Sequence, residues 1–183
     1  MIHKALPVIT AELNSFLKLS VSVSEDVVML SQLVNQSGSL AFSGTDKVIC
    51  TVTAIEQESV ANYTSQLTSK ARQNPPVFLN LNLLFSAYFP GNYVEALQYI
   101  SLVISFFQRK SHFTRQNTPE LPDGVDKLTI EINHLDQHAQ NELWVATGAK
   151  MMPSINMKLR MIAISEDRII PEIKGIDSTP THN

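Results

Sequence analysis

The sequence of 183 residues contains a single cysteine, Cys50. One cysteine cannot form a disulfide within the chain, so a reducing cytoplasm, or a particle assembled there, is the expected setting. Glycine is also scarce, and the six glycines form neither a phosphate-binding loop nor a dinucleotide-binding motif. The hydrolase motif Gly-x-Ser-x-Gly is absent as well. These absences exclude the common nucleotide-binding and serine-hydrolase signatures.

Charge is low and scattered. Charged residues make up 17% of the sequence, against about 25% in typical soluble domains, and the net charge is −3. No more than two cations are adjacent, at Arg109 and Lys110. Binding to nucleic acid or to an anionic membrane requires clustered lysine and arginine. We therefore expect neither nucleic acid nor a membrane as a partner.

Long hydrophobic runs are missing too. The most apolar stretch, residues 97–107, is interrupted by Gln98 and Ser101 and is far shorter than the roughly 20 residues of a membrane span. Near the N-terminus, Pro7 and Glu12 interrupt the apolar run that a signal peptide needs. We expect a protein that is neither membrane-embedded nor exported through a signal peptide.

The apolar residues that are present recur with clear periods. Spacings of three and four predict helices, and alternation with a period of two predicts strands. Helices are expected at 2–17, 93–108 and 136–147, and strands at 27–34, 47–58, 77–89, 128–132 and 155–163. The strand at 77–89 has the longest alternation and is expected at the centre of a sheet. The pattern predicts an α/β (α+β) fold with one domain over residues 1–165 and an extended C-terminal tail at 166–183.

The strand at 47–58 has two distinguishable faces. Strict alternation assigns Val48, Cys50, Val52 and Ala54 to one face, and Ile49 and Ile55 to the other. In the middle of such a strand Cys50 is expected to be a small buried hydrophobe rather than a nucleophile.

The helix at 93–108 is apolar on nearly all sides, which is typical of a helix buried on all sides. A sheet covers only one side, so a neighbouring subunit is the expected cover for the rest. One stripe, expected to face the sheet, contains Leu97, Ile100, Ile104 and Phe107. The other stripe supplies the candidate subunit-interface residues Tyr99, Leu102 and Phe106.

Two segments are expected to contact other proteins. Residues 57–74 contain few large apolar groups, and a loop of that length in a small domain commonly binds a partner. Its candidate contact residues are Tyr63, Lys70 and Arg72. The tail at 166–183 is similarly poor in packing residues and is a second candidate contact arm.

Few residues suggest catalysis. His134 and His138 have a spacing that can bind a metal on a helix, but no third ligand converges on them, so two solvated histidines are expected. Glu56 and Glu58 share a face at the end of their strand, where a polar rim or a subunit contact is expected. We predict no catalytic residue, metal or cofactor. A small hydrolase using these four residues and a monomeric α/β binding module remain as alternatives.

Three motifs carry a resemblance to a known family. They are Pro-Pro-Val-Phe-Leu-Asn-Leu at 75–81, Asn-Tyr-x-x-Ala-Leu at 92–97 with Phe-Phe-Gln at 106–108, and Leu-Trp…Gly…Pro-Ser at 143–154. Their order and spacing resemble the tail-terminator, or cap, proteins of phage-tail-like contractile injection systems of the antifeeding and virulence-cassette type.

The resemblance implies a structural role rather than chemistry. It implies a mostly antiparallel sheet flanked by helices, in a protein that forms a homohexameric ring on the distal end of an inner tube. The implied partners are the tube protein and the sheath protein, whose growth the ring ends and which it joins. The implied location is the bacterial cytoplasm during assembly, and afterwards an injection particle that can be released extracellularly. Compared with longer relatives in the resembled family, a sequence that ends soon after Ile164 is expected to lack their C-terminal region.

Overall fold

The structure is a computed structural model that describes residues 2–58, 77–125 and 127–164, with the side chains of residues 77 and 161–164 excepted. Within these ranges the chain forms three helices and six strands. In chain order they are α1 (Ile2–Val21), β1 (Val28–Leu30), β2 (Lys47–Gln57), β3 (Val77–Tyr88), α2 (Tyr93–Arg109), β4 (His112–Thr114), β5 (Lys127–Ile132), α3 (Gln137–Thr147) and β6 (Ser154–Ile164). The predicted α+β fold class is confirmed.

The strands form one mixed sheet in the order β1-β2-β3-β6-β5-β4. Only the short edge strand β1 pairs in parallel, with β2, and the remaining described pairs are antiparallel. The predicted central position of the 77–89 strand is confirmed, because β3 lies between β2 and β6. The strand expected at 27–34 is limited to the three residues of β1.

Helix α1 packs on one face of the sheet through residues spaced by three and four. These buried residues are Ala5, Leu6, Ile9, Leu13 and Leu17. Pro7 lies in the second turn of the helix, and because proline has no N–H it cannot donate the usual hydrogen bond to the carbonyl of His3. The buried Asn14 fastens the edge strand β1: its Oδ1 accepts hydrogen bonds from the backbone N–H groups of Val27 and Val28, at 2.9 and 2.7 Å.

Helix α2 lies beside α1 on the same face. Asn92 caps its N-terminus by accepting a hydrogen bond from the backbone N–H of Glu95. The Phe107 ring packs on Phe85 of β3 at 5.4 Å between centroids, and the Phe106 ring packs on Phe16 of α1 at 5.4 Å. The expectation that a neighbouring subunit covers the side of α2 that carries Phe106 is therefore wrong, because α1 of the same chain covers it.

Strand β2 contains a bulge that changes which face its residues occupy. Val52 pairs with Leu83, but Ala54 pairs with the next residue along β3, Asn82, so Thr53 is an extra residue. An inserted residue reverses the alternation beyond it. Ala54 therefore lies on the face opposite Val48 and Cys50, which corrects the assignment by strict alternation, and Ile55 pairs with the core residue Leu81.

Helix α3 covers part of the opposite face. Trp144 is its buried residue, and it packs with Leu33, Ile49 and Leu84 in a second, smaller core. Asp136 caps the start of the helix, and Gly148 ends it in a left-handed conformation (φ 68°) that favours glycine. The rest of this face, towards the far end of β2, β3 and β6, carries polar side chains.

Candidate functional site

An apolar groove lies where β3 ends and β6 begins. Its walls come from the turn between β3 and α2 and from the segment before β6, and its volume is about 430 Å³. The backbone N–H of Ala87 donates a hydrogen bond of 2.9 Å to the carbonyl of Pro153 and so joins the two walls. The larger residues that line the groove are Tyr88, Phe89, Pro90, Tyr93, Lys150, Met151, Met152 and Pro153. The groove therefore lies at the end of the central strands β3 and β6.

Large apolar side chains around this groove are exposed. Tyr93 is 66% exposed, Val94 77% and Met151 69%, and Leu97 one turn further along α2 is also exposed. We call these four residues the α2 patch. Isolated exposed apolar residues are normal, but a group of them beside a groove is typical of a surface that binds another protein.

The residues predicted for a subunit interface lie elsewhere. Tyr99 is only 4% exposed and Phe106 only 6%, and both belong to the main core. The Tyr99 ring stacks on Phe89 at 4.7 Å, and Leu102 is half-buried against the same core. The side chains of Tyr99 and Phe106 are therefore buried within the chain, and Leu102 is partly buried there. The sequence showed that α2 has more apolar surface than a sheet can cover, but not that α1 takes the 99–106 side.

A second feature of the described residues is a band of polar side chains on the α3 face, of which Asn80 is buried and the charged members are partly exposed. Asn82 Nδ2 and Lys158 Nζ donate to the two carboxylate oxygens of Glu56, at 2.6 and 2.8 Å. Asn80 Nδ2 donates to Glu58 at 2.6 Å, so both glutamates of β2 bond across to β3. On the adjacent strands, Arg160 pairs with Glu131 at 2.8 Å. We call these seven residues the polar band.

The polar band holds its charges in pairs rather than free for proton transfer. The hydrogen bonds from Lys158 and then Asn82 lower the pKa of Glu56 below its ordinary value, since both favour the ionised carboxylate. A general base at neutral pH needs the opposite, a carboxylate pKa raised towards 7. The geometry suits cross-strand stabilisation and polar contact better than acid–base chemistry.

The histidines and the cysteine show no convergent chemistry. His134 is exposed in the connection before α3, and His138 is exposed on α3, where its Nε2 lies 3.2 Å from Glu142. Among the described residues no group of three His, Cys, Asp or Glu side chains is placed to hold a metal. Cys50 is fully buried, as predicted, and burial raises its pKa to about 12.

Both predicted contact segments fall largely outside the described ranges. Tyr63, Lys70 and Arg72 lie between residues 59 and 76, and the tail lies beyond residue 164. Their roles stay predictions. In the described part of the chain, no helix has the length and apolar character to cross a membrane.

Several chains of solved structures match this one, and two of them are tube terminators. One is the tube-terminating cap of the anti-feeding prophage, with a TM-score of 0.53 and 15% identity over 96% of this chain and 60% of the other. The second is the PVC sheath/tube terminator of an extracellular contractile injection system in its extended state, with a TM-score of 0.47 and 14% identity over 96% of this chain and 63% of the other. This chain thus spans about three fifths of the length of these proteins. At 15% identity the likeness to the anti-feeding prophage cap shows the fold alone.

The sequence itself identifies the family. No curated protein matches it significantly. The family profile described as the Pvc16 N-terminal domain matches residues 7–176, which is most of the chain and includes all three motifs that carried the resemblance. The resemblance to the tail terminators of contractile injection systems is confirmed, and the chain belongs to the Pvc16 N-terminal domain family.

Proposed function

We propose that this protein is a tail terminator: it forms a ring on the distal end of the inner tube of a contractile injection system, ends the growth of tube and sheath, and joins them. The family match over residues 7–176 is the observation that carries the proposal. The fold shared with the anti-feeding prophage cap supports it. The role is structural and involves no catalysis.

The α2 patch and the apolar groove support self-association. A closed ring requires a heterologous interface, in which one surface of each subunit binds a different surface of the next. Tyr93, Val94 and Met151 supply exposed apolar area for one side of that contact. Six subunits are proposed from the family resemblance.

The polar band supports contact with tube and sheath proteins. Interfaces that form during assembly of separately folded proteins are commonly polar and contain bridging water. The band lies on the face of the sheet opposite α1 and α2, so it stays available if the α2 patch contacts a neighbouring copy. Assembly is proposed in the bacterial cytoplasm, after which the ring remains part of the particle.

Tube assembly in vitro tests the proposal. Purified tube protein is polymerised with and without this chain carrying a compact tag, and the tubes are imaged by electron microscopy. We expect tagged density at one end of each tube and no further growth from that end. Tubes that grow from both ends with the tag unbound in solution would contradict the proposal.

A further inference from the structure

The apolar groove is open and its lining suits an extended apolar segment. Its volume of about 430 Å³ is in the range of sites that enclose small ligands or a few side chains. Met151 and Met152 provide flexible, polarisable walls that adapt to branched aliphatic groups. Lys150 is the one cation in the lining and is exposed at the rim.

The part of this chain beyond residue 164 contains a segment of matching chemistry. Residues 169–173 read Ile-Ile-Pro-Glu-Ile, with three branched aliphatic side chains and one carboxylate. Proline disfavours a helical conformation for the residue before it, so an extended segment is expected around Ile170. The three isoleucines suit the apolar walls, and Glu172 is complementary to Lys150.

The number of residues between the end of β6 and this segment limits which groove the segment can reach. Strand β6 starts at Ser154 beside the groove and ends at Ile164, which pairs with Val77 at the other end of the sheet. At about 3.3 Å per residue these two ends are roughly 30 Å apart. Ile170 is six residues beyond Ile164, so an extended chain carries it about 20 Å at most. Ile170 therefore cannot enter the groove of its own chain.

We propose that residues 169–173 of one copy dock in the apolar groove of a neighbouring copy, an inference that rests on the proposed ring. Tyr93 and Met151 belong to both the groove and the α2 patch, so the docked segment and the rest of the patch, Val94 and Leu97, would form one continuous contact. Each copy provides a groove at one end of its sheet and a segment at the other, which is the head-to-tail arrangement that a ring requires.

Cross-linking of two variants, each with one cysteine added to the native Cys50, tests this placement. Met151→Cys and Ile170→Cys chains are purified separately, mixed and oxidised, so that a disulfide between the two positions can only join different chains. Met151 is exposed, and the buried Cys50 is not expected to compete for oxidation. We expect a disulfide-linked dimer on a non-reducing gel, because a disulfide requires Cα atoms within about 7 Å.

Val145→Cys mixed with Ile170→Cys is the matched control, since Val145 is 81% exposed on α3, away from the groove. Light scattering on each mixture reports whether multimers form. Multimers that cross-link through Met151→Cys but not through Val145→Cys support the inference. Multimers with no cross-link, or with equal cross-linking at both positions, overturn it and leave the ring intact. Absence of multimers contradicts both the ring and this docking.

A substitution in the proposed docking segment gives an independent measurement. Ile170→Asp places a charge in an apolar contact and is expected to weaken self-association about tenfold or more. Ile176→Asp changes the same residue type outside the proposed contact and is expected to have less than about a twofold effect. Equal association of the two variants by light scattering against concentration would overturn the docking.

Discussion

At the scale of the residue, the partner of a side chain depends on strand register. Glu56 is adjacent to Asn80 and Asn82 only because β2 and β3 pair with the bulge at Thr53. Its ion pair with Lys158 connects residues 102 positions apart in sequence and bridges across β3. The sequence predicted that Glu56 and Glu58 share a face. It could not predict which residues they bond, because those belong to strands whose order is fixed by the whole sheet.

Glu56→Gln is expected to lower the free energy of unfolding slightly at neutral pH and to have little effect at acid pH. Because the folded pKa of Glu56 is lowered, its ionised form contributes stability at neutral pH, and this is lost as pH falls from about 4.3 through the folded pKa. The side chain is nearly half exposed, so the contribution at neutral pH is below about 1 kcal/mol.

Urea unfolding of wild type and Glu56→Gln at several pH values measures this effect. The stability difference should shrink towards zero on acidification, while Glu120→Gln, on an exposed loop, should show little difference at any pH. A difference that grows as the pH falls would contradict the assigned sign.

At the scale of the element, periodicity located most helices and strands correctly. The alternation in β3 and β6 and the spacing in α1 were sufficient, because each of these elements has one strongly apolar face. The errors occurred where tertiary context decides. Thr53 reverses the alternation in β2, and α1 covers the side of α2 that carries Tyr99 and Phe106. Nothing local in the sequence marks either event.

Three valines in helices allow one substitution to be compared in three environments. Val103→Asp buries an unpaired charge in the core, which costs several kcal/mol, and is expected to unfold the chain. Val94→Asp, in the α2 patch, is expected to leave the fold intact but abolish multimers. Val145→Asp, equally exposed on α3, is expected to change neither.

Circular dichroism reports folding of these variants, and light scattering reports their mass relative to the 20.4 kDa chain. The comparison controls for charge and residue size, so only position differs. Multimers of Val94→Asp as stable as those of Val145→Asp would remove the α2 patch from the subunit contact.

Helix α3 is anchored mainly by Trp144. Truncation of a buried tryptophan to alanine commonly costs 3–5 kcal/mol, and because the second core is small we expect Trp144→Ala to lower the free energy of unfolding by about 3 kcal/mol. Amide exchange should increase in α3 before it increases in α1 or α2. Val145→Ala, at the exposed neighbouring position, should change stability by less than about 0.5 kcal/mol. Uniform loss of protection in all three helices would show that α3 is not a separate unit.

At the scale of the whole molecule, the described residues form distinct surfaces. One face of the sheet carries α1 and α2 with the main core, and the other carries α3 and the polar band. The groove and the α2 patch lie at the end of the sheet where β6 begins. The family was recognisable from three motifs, whereas the positions of the groove and the patch became evident only from the fold.

The most direct test of the terminator role is the distribution of tube lengths in particles produced with and without this protein. Electron micrographs of purified particles give the length of each inner tube. The proposed function predicts a narrow distribution when the protein is present, and long tubes of uncontrolled length when its gene is deleted, with the narrow distribution restored by the wild-type chain. Tubes of the same length and the same narrow spread in the deletion strain would contradict the proposal that this protein ends tube growth.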